Sequence, residues 1–164
     1  MCRCGSRGCS EIRIRAIRVN NIVTEQPQGQ PTGTNCDDAA PRVRGIIESA
    51  IYVDDMQRSV DFYRDVVGLA QADQEVARRL NAMVVGPFQV LLICSRGGAV
   101  KPIEFRGGRV PPHDGSGPLH LAFGVEEDSR ETWRSRLAKH RIAITGEVDW
   151  PTGGWSLYFD DPDG

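Results

Sequence analysis

One pattern occurs twice along the chain, and it constrains the fold more than any other feature. An apolar run from Ile46 to Val53 leads into the acidic pair Asp54-Asp55 and then into a helical pattern from about Met56 to Val67. The order restarts at Leu119: a strand-like run to Val125, the acidic group Glu126-Glu127-Asp128-Ser129, and a second helical pattern to about His140. Superposing the halves puts Glu48 on His120, Ala50 on Ala122, Val53 on Val125 and Asp54-Asp55 on Glu126-Glu127. Carboxylates favour the positive end of a helix dipole, so the acidic group marks a helix start in both halves. In the first helix Met56, Val60, Tyr63 and Val67 fall on one face, and Gly68 supplies the stop.

Strands follow each helix. The first half continues with runs at about Ala70 to Val76, Asn81 to Val85 and Gln89 to Ser95, the last two joined by the turn Gly86-Pro87. The second half continues with Ile142 to Val148 and Trp155 to Phe159, and then reaches Gly164. The halves therefore read βαβββ and βαββ. One such unit cannot bury its sheet alone, whereas two can. The expected fold class is α+β: two paired βαβββ modules forming a cup-shaped mixed sheet, with the last strand of the second module missing from the chain. Module one spans about 45–96, module two about 118–164, and a Gly- and Pro-rich connection joins them.

Residues 1–44 differ from this body. They hold four of the chain's 5 cysteines, and Gln26 to Asp38 has the composition of a linker. Cys2, Cys4 and Cys9 lack the paired spacing of a structural zinc site. The expectation is a disordered leader or linker over 1–44. Cys94, inside an apolar run, reads as a buried reduced thiol. The net charge of -2 argues against a nucleic-acid partner. No apolar run is long enough to span a bilayer and no secretory segment is evident, so a cytoplasmic location with no membrane partner is expected.

The strand period of two sorts the side chains. Ile51 and Val53 share one face with Ile47, and Glu48, Ala50 and Tyr52 share the other. Leu121 and Phe123 oppose His120, Ala122 and Gly124; Leu157 and Phe159 oppose Ser156 and Tyr158. The open face therefore collects Glu48, His120, Ser156 and Tyr158, with small residues leaving room between them. A carboxylate and an imidazole at equivalent places in two repeats suit a divalent metal. Taken singly, Glu48 also reads as a solvated strand start and His120 as a hydrogen-bonded sheet residue.

Three stretches now resemble the vicinal oxygen chelate superfamily, which includes glyoxalases, ring-cleaving dioxygenases, bleomycin-binding proteins and fosfomycin-resistance thiol transferases. They are Ile51-Tyr52-Val53-Asp54-Asp55-Met56 with Ser59 to Leu69, then His120-Leu121-Ala122-Phe123-Gly124-Val125, and then Ser156-Leu157-Tyr158-Phe159-Asp160-Asp161-Pro162-Asp163-Gly164. The likeness covers about 45–164. It implies that Glu48 and His120 are metal ligands, that Leu92 replaces a further ligand of the glyoxalases, and that the last ligand belongs to a strand following Gly164. It implies Tyr52, Ser156 and Tyr158 as substrate contacts. Tyr158 is also expected as a catalytic hydrogen-bond donor, with His113 as an acid/base from the connecting loop.

The implied activity is that of a metal-dependent enzyme, a glyoxalase-like lyase/isomerase or a ring-cleaving dioxygenase. Its cofactor would be a divalent ion (Fe, Mn, Ni, Zn or Mg), and its small-molecule substrate would chelate through two oxygens. The alternatives are a metal-free, bleomycin-resistance-like drug binder and a fosfomycin-resistance-like thiol transferase. A homodimer is expected.

Overall fold

The computed structural model describes residues 13–17, 43, 45–72 and 80–164. Strand β1 (Arg13–Ile17) comes first in the chain but belongs to the second module. The first sheet is built from β2 (Glu48–Val53), β3 (Ala70–Gln71), β4 (Leu80–Gly86) and β5 (Gln89–Ser95), in the order β2-β5-β4-β3. β2 and β5 run parallel, and the other neighbours run antiparallel. The run expected to reach Val76 is strand only over Ala70–Gln71, and residues 73–79 lie outside the described residues.

Helix α1 (Met56–Phe62) starts where the sequence places it, because Asp55 is extended and its carboxylate accepts from the Arg58 N–H at 3.1 Å. It continues as a π-helical turn, Tyr63–Val67, and ends at Gly68, whose φ of 89° lies in the left-handed region. The helix packs Val60, Tyr63, Val66 and Val67 against Ile51, Val53, Met83, Leu91 and Ile93 of the sheet, all buried. The connection carries a small hairpin, β6 (Ile103–Phe105) with β7 (Gly108–Val110).

The second module contains β8 (His120–Gly124), a 3-10 turn at Glu127–Ser129, α2 (Arg130–Lys139), β9 (Ile144–Asp149) and β10 (Trp155–Asp160). Its sheet has the order β8-β1-β10-β9. β1 is parallel to β8 and antiparallel to β10, which are the directions β5 takes between β2 and β4. A stretch of the segment read as leader thus fills the place of the missing strand. Cys2, Cys4, Cys9, Cys36 and the linker Gln26 to Asp38 lie outside the described residues.

The helix-bearing faces of both sheets share one core. Leu137 of α2 and Phe159 of β10 join the first module's buried cluster, with Leu121, Phe123, Trp133 and Ile144 packed against it. Phe62 and Phe159 meet with ring centroids 6.4 Å apart.

The modules are also tied by polar contacts at both ends of α1. At its start, the Asp163 carboxylate accepts from the Asp54 N–H at 2.9 Å and from the Ser59 hydroxyl at 3.1 Å, with Arg58 nearby. At its end, the Arg136 guanidinium donates to the carbonyls of Val66 and Asp65, at 2.5 and 2.8 Å. Between them the Tyr63 hydroxyl donates to Asp161 at 3.0 Å. The Asp161-Pro162-Asp163-Gly164 turn is held by the Asp163 N–H on the Asp161 carboxylate, so one short motif presents both carboxylates to α1.

Burial, with Asp161 beside it, pushes the Tyr63 phenol well above its ordinary ionisation range. Burial also raises the Asp161 carboxyl. A phenol with a raised folded-state pKa keeps its proton where the unfolded chain has lost its own, so stability falls as pH rises above about 10. Tyr63→Phe is expected to flatten that alkaline slope, measured by denaturant unfolding between neutral and strongly alkaline pH. An unchanged slope would remove Tyr63 as its source. Asp163→Ala strands the Asp54 N–H and the Ser59 hydroxyl and is expected to cost about 2–3 kcal/mol of unfolding free energy; a change below about 0.5 kcal/mol would show that the contacts are dispensable.

Candidate functional site

The faces opposite the shared core carry the candidate site residues. On the first sheet Glu48 and Ala50 are exposed at the start of β2, and Tyr52 is half-buried at its end. Their register partners on β5 are Val90, Leu92 and Cys94, so Glu48 is the carboxylate on an otherwise apolar row. Leu92 lies opposite Ala50 and offers no donor atom. Burial, with Glu48 and Asp114 adding negative charge, pushes the Cys94 thiol up to about 11. The thiol therefore stays protonated at neutral pH and serves as packing.

Tyr52 meets the connecting loop. Its hydroxyl lies 2.7 Å from His113 Nδ1, and the two rings are tilted with centroids 5.8 Å apart. Burial, then Cys94, Asp114 and Glu48, raise the Tyr52 phenol above its ordinary value, so it remains a proton donor at neutral pH. A phenol that donates to Nδ1 leaves Nε2 as the ring nitrogen that bears the N–H. The loop is fixed locally. Asp114 accepts from the N–H groups of Gly97 and Gly115, and the His113 N–H donates to the Ala99 carbonyl at 3.0 Å. Gly115 is required by contact: a Cβ there would stand 2.6 Å from Tyr52 Cδ2.

On the second sheet His120 is exposed at the start of β8, and its ring lies 6.2 Å from that of Tyr158 on β10, centroid to centroid. β1 lies between those two strands, so the pair reaches across it. Gly146 of β9 sits opposite Tyr158, and a Cβ there would meet the ring at an ordinary contact distance of 3.5 Å. Ser156 is fully buried, and its hydroxyl accepts from the Trp150 indole N–H at 2.8 Å.

Tyr52 and His113 are thus brought together on the first module, and His120 and Tyr158 on the second. Ser156 is held within the protein. Sequence reasoning did not single out Asp114, Gly115 or Trp150. The signal for the first two was the His113-Asp114-Gly115 run, since an Asp before Gly is a turn former whose side chain bonds nearby N–H groups. Among the described residues no three His, Cys, Asp or Glu side chains gather as a metal-holding group. Glu48 and His120 have suitable donor chemistry, but the described part of one chain does not supply a full ligand set.

Comparison with known proteins identifies the family. Residues 45–164 match the model of the Glyoxalase/Bleomycin resistance protein/Dioxygenase superfamily, and the chain belongs to it. The fold is that of a lactoylglutathione lyase from Agrobacterium tumefaciens, at 27% identity and a TM-score of 0.66, over 76% of this chain and 90% of that one. A glyoxalase/dioxygenase from Nostoc punctiforme shares the fold at 22% identity and a TM-score of 0.55, over 80% and 92% of the two chains. A glyoxalase/bleomycin resistance protein/dioxygenase from Nocardioides does so at 19% identity and a TM-score of 0.56, over 76% and 80%. No protein of curated function matches the chain. No described helix is long and apolar enough to cross a membrane.

Gly115→Ala is expected to push the Tyr52 ring off His113. In a spectrophotometric titration of the three tyrosines, part of the delayed ionisation should then return toward pH 10. A titration curve identical to that of the unaltered chain would show that Gly115 does not hold the pair.

Proposed function

We propose that the chain is a metal-dependent lyase or isomerase of the glyoxalase type, acting on a small substrate that presents two adjacent oxygens. The observation that carries this reading is the equivalent placement of Glu48 and His120. Each opens the first strand of its module, each is exposed, and each lies on the face turned away from the shared core. The likeness to the lactoylglutathione lyase supports the reaction class over the ring-cleaving one. A carboxylate oxygen and an imidazole nitrogen suit a divalent ion, which when bound acts as a Lewis acid toward paired substrate oxygens.

One chain turns its two open faces away from the core that joins its modules. The proposal is therefore that two copies form the working unit, with Glu48 of one facing His120 of the other. Tyr158 beside His120 supplies a hydroxyl for a substrate oxygen. The Tyr52–His113 pair supplies an Nε2 proton at the mouth of the other face, the phenol holding the imidazole through Nδ1, and the apolar row around Ala50 and Leu92 excludes water from the substrate's carbon skeleton. Ser156 acts by holding Trp150. A cytoplasmic location, expected from the sequence, is part of the same proposal.

Mixing two variants tests the arrangement. Glu48→Gln and His120→Ala are each expected to bind added Ni or Zn at least ten-fold more weakly than the unaltered chain. After co-refolding, mixed dimers hold one site with both Glu48 and His120, so part of the tight metal binding and of the lyase activity on a hemithioacetal should return. If the mixture binds no better than either variant while the unaltered chain binds tightly, the two-copy site is wrong. If the unaltered chain takes up no metal, the reading as a metalloenzyme fails and drug binding becomes the better one.

A further inference from the structure

The place of β1 carries an inference of its own. β1 pairs over five residues with β8 and over three with β10. Among the described residues β8 has no other strand neighbour, and β8 and β10 do not pair with each other. Without β1 the second sheet would fall into a lone β8 and a β9–β10 hairpin, leaving two unpaired edges beside a hydrophobic core. The spacing between His120 and Tyr158 would also lose the strand that sets it.

The sequence of the segment suits the slot. From Glu11 to Ala16 it alternates, with Ile12, Ile14 and Ala16 on one parity and Glu11, Arg13 and Arg15 on the other, and the pattern ends at Ile17. The register sets Ile14 against Leu121 and Phe159, members of the core row. It sets Arg13 against His120 and Asp160, and Arg15 against Ala122 and Tyr158, members of the open row. A slip by one residue would exchange the two sets, so the pattern specifies this register. The 30 residues between Ile17 and Glu48 give no steric reason for the strand to lie here. Fully extended they would reach roughly 100 Å, far more than the connection needs. What places β1 here is its ladder pairing with β8 and β10.

We infer that the groove between β8 and β10 is a strand-accepting site. Its resident is the chain's own Arg13–Ile17 segment, and a free peptide of that sequence will occupy it when the segment is displaced. The recognition is β-augmentation: ladder hydrogen bonds on both sides give affinity, and the alternating apolar and basic positions give specificity.

The experiment uses the full chain. Ala16→Pro puts a proline into β1 where it pairs with β8, opposite Phe123, which a paired strand tolerates poorly. The melting midpoint should fall by about 5 °C or more. A synthetic peptide of residues 11–19 at millimolar concentration should restore at least half of the loss, and a scrambled peptide should not. An unchanged midpoint for Ala16→Pro, or equal effects of the two peptides, overturns the inference. Should Ala16→Pro fail to fold, the pair Ile17→Cys with Gly124→Cys decides, because the register sets these positions opposite each other. Oxidation followed by peptide mapping should find the two introduced thiols joined to each other within one chain. No such link, or a link only between chains, overturns the assignment of the slot to the chain's own segment.

Discussion

Helix α1 is clamped at both ends by the module it does not belong to, and the rest of the architecture depends on that clamp. Asp163 holds its first turn, Arg136 its last carbonyls, and Asp161 takes the Tyr63 hydroxyl between them. Groups at helix ends lack partners within the helix, so they are the natural points for an outside element to hold. Because the partners come from α2 and from the turn that follows β10, the two sheets are fixed back to back around one core. The open faces are then left free. The site described above follows from that polarity.

The Asp161-Pro162-Asp163-Gly164 motif shows how a sequence signature can be legible while its physical meaning is not. It marks the family, and its neighbourhood to Ser156 and Tyr158 invites a reading as part of the binding surface. Its work lies on the other side of the sheet. The proline fixes the turn, the first carboxylate closes it through the Asp163 N–H and reaches Tyr63, and the second holds the Asp54 N–H and the Ser59 hydroxyl at the start of a helix about a hundred residues away in sequence. Spacing along a chain carries no information about such a partner. The buried Tyr63 beside a buried carboxyl is a further cost of this design, borne because each satisfies the other.

Much of the fold was legible because it rests on local signals. The strand alternation of β2, β8 and β10, the Asp55 cap and the Gly68 stop all act within a few residues, and they agree with the structure. The pattern also placed Glu48 and His120 on the open rows. Two kinds of information were not local. One is the filling of the slot beside β8: the alternation from Glu11 to Ala16 was there to read, but its two strand partners lie more than a hundred residues on. The other is the fixing of His113 to Tyr52, which depends on Asp114 folding the loop and on Gly115 yielding room for the ring. Ser156 illustrates a third case. Alternation puts it on the open row, yet the Trp150 indole folds over it, and a period of two says nothing about what an adjoining loop will cover.

The position of β1 also bears on the order in which the molecule can be assembled. On a ribosome Arg13–Ile17 is made before every other described strand. Both strands that receive it, β8 and β10, come from the last third, and Arg13 is paired with Asp160 near the far end. The first module can form with its own local contacts while synthesis continues. The second sheet cannot close until β10 has been made. Contacts between such distant segments must overcome the full entropy of joining them, which makes them slow to form. Of the described strands, the one synthesised first is therefore the one that docks last, and until then the apolar edges of β8 and β10 are surfaces in need of shielding.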